Sequence, residues 1–145
     1  MGIKSLEVRP AAKCIIDLPG GKFLFVSGRQ GILNLVGGGI DKYEADDPIK
    51  AFFREAYEEI GLTENHFNNI RSVGEIVGPV TTAEGREKIA KWTVFRASLI
   101  FPASEIYLPG VTEIKAVHSL TRNEVNTDTH MSNLARRAID ILAEK

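Results

Sequence analysis

Residues 54–62 read REAYEEIGL, and three consecutive glycines stand upstream at residues 37–39. Within that stretch Glu55, Glu58 and Glu59 have i, i+3, i+4 spacing. On a helix of about 3.6 residues per turn, this spacing puts their side chains on one face within about 100° of arc. The stretch therefore predicts a helix with three carboxylates on one side.

The residues around this stretch predict the apolar face of the helix and both of its ends. Asp47 is a favourable N-cap residue, and Pro48 suits the first helical position, where no backbone donor is missed. Gly61 suits the position just after the last helical residue. We expect a helix over about residues 47–60. Apolar residues recur at helical spacing away from the glutamates: Ile49, Phe52, Phe53, Ala56 and Ile60.

Three carboxylates on one face repel one another. In partly desolvated surroundings the repulsion reaches about 4 kcal/mol per pair at an effective dielectric constant of about 20. A bound divalent cation would reverse its sign. Glutamate pairs on helices are usually only a solvated surface. Here Arg54 precedes the glutamates, an aliphatic-glycine-aliphatic triplet follows them, and a triple glycine lies upstream, so a site that holds a metal against a phosphate is the better interpretation.

Residues 38–62 resemble the Nudix box of the Nudix hydrolases (MutT-like pyrophosphohydrolases), which reads G-x5-E-x7-R-E-U-x-E-E-x-G-U with U a bulky aliphatic residue. Gly38 and Glu44 have the spacing of the box, and residues 54–62 follow it if Ala56 is accepted as the aliphatic residue. Nine residues instead of seven separate Glu44 from Arg54. We place the extra pair near Ala45-Asp46. Asp46 stands at the family's distance from Arg54, so Glu44 and Asp46 both remain candidates for the upstream acidic role.

The glutamates suit Mg²⁺, with Mn²⁺ as the alternative, because Mg²⁺ takes oxygen ligands from a few carboxylates, substrate phosphate and water. We expect Glu55, Glu58 and Glu59 to be metal ligands, and the resemblance implies that the Gly37 carbonyl is another. Glu55 is the preferred general base or water-orienting group. Arg54 is expected to pair with nearby carboxylates and fix their rotamers. Glu113, just before a late strand, is a weaker candidate for the base.

The resemblance implies hydrolysis of a pyrophosphate bond in a nucleoside diphosphate derivative. Our first interpretation is a nucleoside triphosphate cleaved to the monophosphate and pyrophosphate. The alternatives are an ADP-ribose, nucleotide-sugar or dinucleoside polyphosphate pyrophosphatase, and a non-catalytic Nudix module that senses nucleotides. The intact glutamates favour an enzyme, whereas the two-residue insertion is the argument for a sensing module.

Few residues are candidates for substrate contact. Arg29, Gly38 and Arg86 are placed where they could meet phosphate. Trp92 and Tyr57 could stack on a base. Since they stand in a predicted strand and a predicted helix, packing in the core is the commoner role for such residues.

Composition fits one domain over residues 1–145, since the chain is 43% hydrophobic with a net charge of −1. It contains no apolar run approaching the roughly 20 residues of a membrane span, and its first residues lack a signal-peptide core. We therefore expect a cytoplasmic protein. The resemblance implies that it acts on a small nucleotide, and we expect a monomer or homodimer. The near-neutral charge argues against strong nucleic-acid binding. The single cysteine, Cys14, is expected to be a buried, inert thiol.

Apolar, β-rich runs predict strands at residues 8–17, 22–28, 70–81, 89–100 and 114–120, with a hairpin turn at residues 18–21. Helical spacing of apolar residues predicts a closing helix over residues 129–144, capped by Asp128. This order indicates an α+β chain, an α/β/α sandwich with a mixed sheet packed between helices. The resemblance implies the same architecture, the Nudix fold.

Overall fold

A mixed seven-stranded sheet organises the protein in the computed structural model, which describes residues 6–82 and 84–144. No helix within those ranges has the length and apolar character needed to cross a bilayer. The strands and helices in chain order are β1 (Val8–Leu18), β2 (Lys22–Ser27), β3 (Leu33–Asn34), β4 (Val36–Gly39), α1 (Pro48–Ile60), β5 (Phe67–Thr81), β6 (Glu87–Leu99), β7 (Ala116–Thr121), α2 (Arg122–Thr127) and α3 (Asn133–Leu142).

Strand β1 is the centre of the sheet, whose strand order is β3-β2-β1-β6-β5. It runs parallel to β6 on one side. On its other side the N-terminal half pairs antiparallel with β4 and the C-terminal end pairs antiparallel with β2. Strand β7 pairs with β2. The predicted mixed sheet and the hairpin between β1 and β2 are confirmed.

Each face of the sheet is covered by one of the longer helices. Helix α1 buries Phe52, Ala56 and Ile60 against a cluster that includes Cys14 and Ile16 of β1. Helix α3 buries a second cluster on the opposite face, with Ile15, Trp92 and Val94 from the sheet. The alternation of β1 explains this division, because successive residues of a strand point to opposite faces. The predicted sandwich is therefore confirmed.

Helix α1 has nearly the predicted bounds. It starts at Pro48, with Asp47 at the N-cap, and ends at Gly61 in the left-handed conformation with φ of +70°. Within the described chain the Asp47 side chain makes no capping hydrogen bond. The predicted N-cap position of Asp47 is confirmed, and the fixed φ of proline is the further local signal for the start of the helix.

The C-terminal region differs from the prediction of one helix over residues 129–144. Two helices, α2 and α3, are present, and Asp128 is the C-cap of α2 instead of the N-cap of the last helix. A reciprocal capping box between Thr121 and Glu124 starts α2, and Ser132 caps α3 by accepting a bond from the backbone of Ala135. The apolar residues that suggested a helix are all buried: Met131, Leu134, Ala135, Ala138, Ile139 and Leu142.

The glycine run is a strand, which is not among the strands that the sequence predicts. Gly37, Gly38 and Gly39 belong to β4 and pair with Lys13, Ala12 and Ala11 of β1. Gly37 has a φ of +135°, and a Cβ there would lie 2.0 Å from the carbonyl oxygen of Ala12. Only glycine fits so close to β1.

Replacing Phe52 by alanine should lower the free energy of unfolding by about 3–5 kcal/mol, because its fully buried ring packs edge-on to Phe67 at 5.4 Å between centroids. The sequence predicts Phe53 on the apolar face of α1, but its side chain is only partly buried. Phe53→Ala should therefore cost less. Urea denaturation of both variants measures the difference, and an equal or larger cost at Phe53 would contradict this account of the core.

Candidate active site

Helix α1 brings its acidic face against strand β4. The backbone N–H of Gly37 donates to Glu59 Oε1 at 2.9 Å. A Cβ at Gly38 would lie 2.5 Å from the carboxyl carbon of Glu55 and 2.7 Å from each of its oxygens. The missing side chains of Gly37 and Gly38 thus let the carboxylates and the strand backbone meet, which joins the two motifs of the sequence in one place.

Arg54 connects the carboxylates, as the sequence predicted. Its Nε and Nη2 donate to the two oxygens of Glu44 at 2.9 and 3.0 Å, a bidentate pair. Its Nη1 lies 3.1 Å from Glu55 Oε1 and 3.3 Å from Glu58 Oε2, and Nη2 also donates to the Gly39 carbonyl at 2.9 Å. One guanidinium thereby fixes three acidic side chains and the end of β4.

The structure places Glu44, and not Asp46, against Arg54. Only 3% of the Glu44 side chain is exposed, and it also accepts a hydrogen bond from the backbone of Asp41. The hydrogen bonds from Arg54 hold the pKa of Glu44 below its usual value despite burial. Asp46 lies in an exposed turn with Ala45. The extra pair of residues therefore lies where the sequence placed it, between Glu44 and α1.

Burial changes the acidity of the glutamates that face β4. It raises the pKa of Glu59 to about 7, although the Lys13 ammonium and the N–H of Gly37 oppose the rise. Burial also raises the pKa of Glu55, and Arg54 opposes that rise. Both residues are therefore easier to protonate than an ordinary glutamate, and a positive charge beside them would favour their ionised forms.

Lys13 is part of this site and was missed in the sequence. It is 8% exposed, and its ammonium donates to the carbonyls of Leu35 at 3.3 Å and Gly37 at 3.2 Å. The same nitrogen lies 5.1 Å from the centroid of the Trp92 ring. The available signal was a single lysine inside the apolar run AAKCII of a central strand, where a charge is costly unless it has partners.

The donor atoms present suit a hard cation, since carboxylate and carbonyl oxygens are what Mg²⁺ and Mn²⁺ prefer. Among the residues that the structure describes, however, no three His, Cys, Asp or Glu side chains converge as a ready metal site. Arg54 holds Glu55 and Glu58, the N–H of Gly37 holds Glu59, and Lys13 occupies the Gly37 carbonyl. The chemistry fits a metal, and rotamer changes of these side chains would be needed to bind it.

Two cavities lie next to the candidate site and have Lys13 and Asn34 in common. The first, of about 670 Å³, contains Glu59 together with Arg29 and Glu113. The second, of about 510 Å³, contains Gly38 and Gly39 at one wall and Trp92 at another. We call these two cavities together the cleft.

Only some of the residues predicted to contact the substrate lie at the cleft. Arg29 and Gly38 border the cleft, whereas Arg86 lies on the exposed β5–β6 turn and is not among the residues around it. Trp92 is buried as expected for a core aromatic, but Tyr57 is 61% exposed and is not core. Cys14 is buried, and burial raises the pKa of its thiol, in agreement with an inert residue.

No protein-family model matches the chain, and no curated protein matches it either. Several solved structures, in contrast, are similar to this chain. The MutT protein from Methanosarcina mazei Go1 superposes with a TM-score of 0.75 at 15% identity, covering 98% of this chain and 97% of the other. The E. coli dihydroneopterin triphosphate pyrophosphohydrolase gives 0.71 at 14% identity, covering 96% and 99%.

A third solved structure, a binary complex of a C. elegans Ap4A hydrolase, gives a TM-score of 0.66 at 19% identity and covers 94% of this chain and 99% of its own. The likeness extends over nearly the whole length of all three proteins. With identities this low, it is a likeness of fold. The protein therefore has the fold of the Nudix hydrolases.

Proposed function

We propose that residues 1–145 form a single Nudix hydrolase domain that cleaves a pyrophosphate bond in a nucleoside diphosphate derivative with the help of Mg²⁺ or Mn²⁺. The observation that carries the proposal is the contact of Glu59 with the backbone of Gly37 and of Glu55 with Gly38, beside cavities that Lys13 and Gly38 border, while Arg54 holds Glu58 on the same helix face. A nucleoside triphosphate, cleaved to the monophosphate and pyrophosphate, is the first candidate substrate.

In this proposal the carboxylates of Glu55, Glu58 and Glu59 and the Gly37 carbonyl hold the metal. A metal bound there would neutralise charge on the diphosphate and acidify the attacking water. Arg54 orients the side chains of Glu55 and Glu58, and its own position is fixed by its pair with Glu44. That pair leaves the guanidinium anchored even when Glu55 and Glu58 turn away from it.

Glu55 is our candidate for the group that accepts the proton of the attacking water, because burial raises its pKa above the ordinary value and so makes the carboxylate a stronger base. Glu113 is the second candidate. It is an exposed carboxylate that borders the same cavity as Glu59. In this alternative, Glu113 accepts the proton of a water molecule that lies in that cavity.

The shape of the cleft favours a second class of substrate. Lys13 borders both cavities. The larger is lined mainly by polar groups such as Arg29, Gln30 and Glu113, and the smaller combines Trp92 and aliphatic side chains with Glu7, Arg9 and Asp41. A diphosphate with an organic group at each end, as in ADP-ribose, a nucleotide sugar or a dinucleoside polyphosphate, would use both. The similar folds of a triphosphate pyrophosphohydrolase and an Ap4A hydrolase are consistent with either class.

Glu59→Gln should remove most metal-dependent hydrolysis and leave folding nearly intact, because the amide keeps an oxygen for the N–H of Gly37 but lacks the charge that a cation needs. The assay is release of phosphate or pyrophosphate from a panel of nucleoside triphosphates, ADP-ribose, nucleotide sugars and dinucleoside polyphosphates, with and without Mg²⁺. Glu64→Gln is the control, since Glu64 is exposed and lies beyond the end of α1.

If Glu59→Gln hydrolyses the substrate as fast as the wild type does, Glu59 is not a metal ligand. If the wild-type protein binds nucleotides but hydrolyses none of the panel, the non-catalytic sensing module replaces the enzyme as the best account. The products identify the substrate class, because a triphosphate and a two-ended diphosphate release different fragments.

Gly38→Ala tests the close approach of β4 and α1. The added methyl group would lie 2.5–2.7 Å from the carboxylate of Glu55, so this side chain must turn away. We expect hydrolysis to fall at least about tenfold, equivalent to about 1.4 kcal/mol in the barrier, with a smaller effect on thermal stability. Gly39→Ala is the matched control, because no atom lies within 4 Å of its Cβ position. Equal activity in both variants would contradict the role of this contact.

The metal-free protein should lose stability relative to Glu59→Gln as the pH rises from about 5 to 8. The pKa of Glu59 is raised from 4.5 to about 7 in the folded protein, so folding favours its protonated form. That contribution is complete below the unfolded pKa and disappears as the pH rises through the folded pKa. Thermal unfolding of both proteins in chelator measures the effect, and parallel pH profiles would show that Glu59 is not perturbed.

A further inference from the structure

The ammonium of Lys13 makes two hydrogen bonds to backbone carbonyls of the sheet and one contact with an aromatic ring. A lysine ammonium has three N–H donors. Two are directed at the carbonyls of Leu35 and Gly37, and the face of Trp92 lies on a further side, 5.1 Å away. The strand register explains the position, because Lys13 is paired with Gly37 across β1 and β4.

The charge of Lys13 acts on the carboxylates of the candidate active site. Its interactions with Glu59 and Glu55 are the two that favour the ammonium against the penalty of burial, and the same charge opposes the rise in the pKa of Glu59. Lys13, Gly37 and Glu59 thus form a sequence of contacts in which the carbonyl of Gly37 faces the cation and its N–H faces the carboxylate.

We propose that Lys13 is the resident counter-cation of the carboxylate site, with which a divalent metal must compete for the Gly37 carbonyl. This inference rests on the proposed function, in which that carbonyl is a metal ligand. Two positive charges that share one oxygen repel each other in surroundings of low dielectric constant. The ammonium therefore weakens metal binding while it stabilises the metal-free site.

Lys13 also borders both cavities of the cleft. An ammonium that leaves the carbonyls when the metal binds has open space on either side, and a substrate phosphate is a suitable partner for it there. In this proposal the metal ion replaces the Lys13 ammonium at the Gly37 carbonyl, and the ammonium then lies close to the bound diphosphate.

The test is a titration with Mn²⁺ alone, followed by electron paramagnetic resonance of the free ion, on the full chain and its variants. Lys13→Met removes the charge and keeps the apolar stem, and Lys13→Gln removes the charge but keeps a donor for the carbonyls. Both should bind Mn²⁺ about tenfold or more tightly than the wild type. Lys13→Arg keeps the charge and should bind within about threefold of the wild type.

Lys88→Met is the matched control. Lys88 is also a largely buried strand lysine, with an 11% exposed side chain, but it pairs with Glu7 at 3.0 Å and not with the acidic face of α1. It should leave Mn²⁺ affinity unchanged. In chelator, Lys13→Met should melt at a lower temperature than Lys88→Met, and Mn²⁺ should recover more of its stability, since a ligand stabilises the state that binds it.

Neutral variants that bind Mn²⁺ as the wild type does, or more weakly, would overturn the inference and leave the proposed function standing. If neither the wild type nor any variant binds Mn²⁺, the proposed function fails and the inference with it, which is a distinguishable result. Tighter binding by both Lys13→Met and Lys13→Gln, with near wild-type binding by Lys13→Arg, supports the inference, because the charge at residue 13 would then be what weakens binding of the metal.

Discussion

The arrangement of the site depends on the close approach of strand β4 to both β1 and helix α1. Gly37 has a backbone conformation and a distance from Ala12 that exclude any side chain, and Gly38 leaves room for the carboxylate of Glu55. A side chain at Gly37 would collide with the backbone of β1, and one at Gly38 would displace the carboxylate of Glu55. The hydrogen bond from Gly37 to Glu59 exists because this backbone is bare.

Two cations balance the acidic face, and they differ in what they bind. Arg54 is on α1 itself and makes a bidentate pair with the buried Glu44, so its position is determined by geometry. Lys13 comes from the sheet and binds backbone carbonyls. The acidic face therefore has one cation that orients its side chains and a second that approaches from the strand side. Such a distribution lets several carboxylates stand close together without a metal, since each repulsive pair has a nearby positive charge.

Much of this fold was predictable because it follows local rules. The bounds of α1 came from proline, glycine and apolar spacing, and the hairpin after β1 came from its turn residues. The C-terminal region was not predictable in the same way. Asp128 looks like an N-cap, but the capping box of Thr121 and Glu124 starts an earlier helix and uses Asp128 at its end. Two cap signals competed, and residue spacing alone did not decide between them.

The site was only partly predictable. The acidic face and its link to Arg54 follow from one helix and are visible as spacing. Lys13 lies far from that helix in the sequence and reaches it only through the pairing of β1 with β4. Short strands such as β3 and β4, the latter rich in glycine, carry almost no periodic signal. The residue that joins the sheet to the acidic helix was therefore hidden until the strands were assembled.

The two extra residues before α1 have a consequence for how such proteins are recognised. Ala45 and Asp46 lie in an exposed turn, outside the contact between Glu44 and Arg54. Chain length at that turn can vary while the salt bridge keeps its geometry, since lengthening a surface loop has a small entropic cost. A search that counts residues between the two motifs penalises this change heavily, whereas the three-dimensional contact is insensitive to it. The acidic partner of Arg54 is therefore identified by the three-dimensional contact and not by its distance along the sequence.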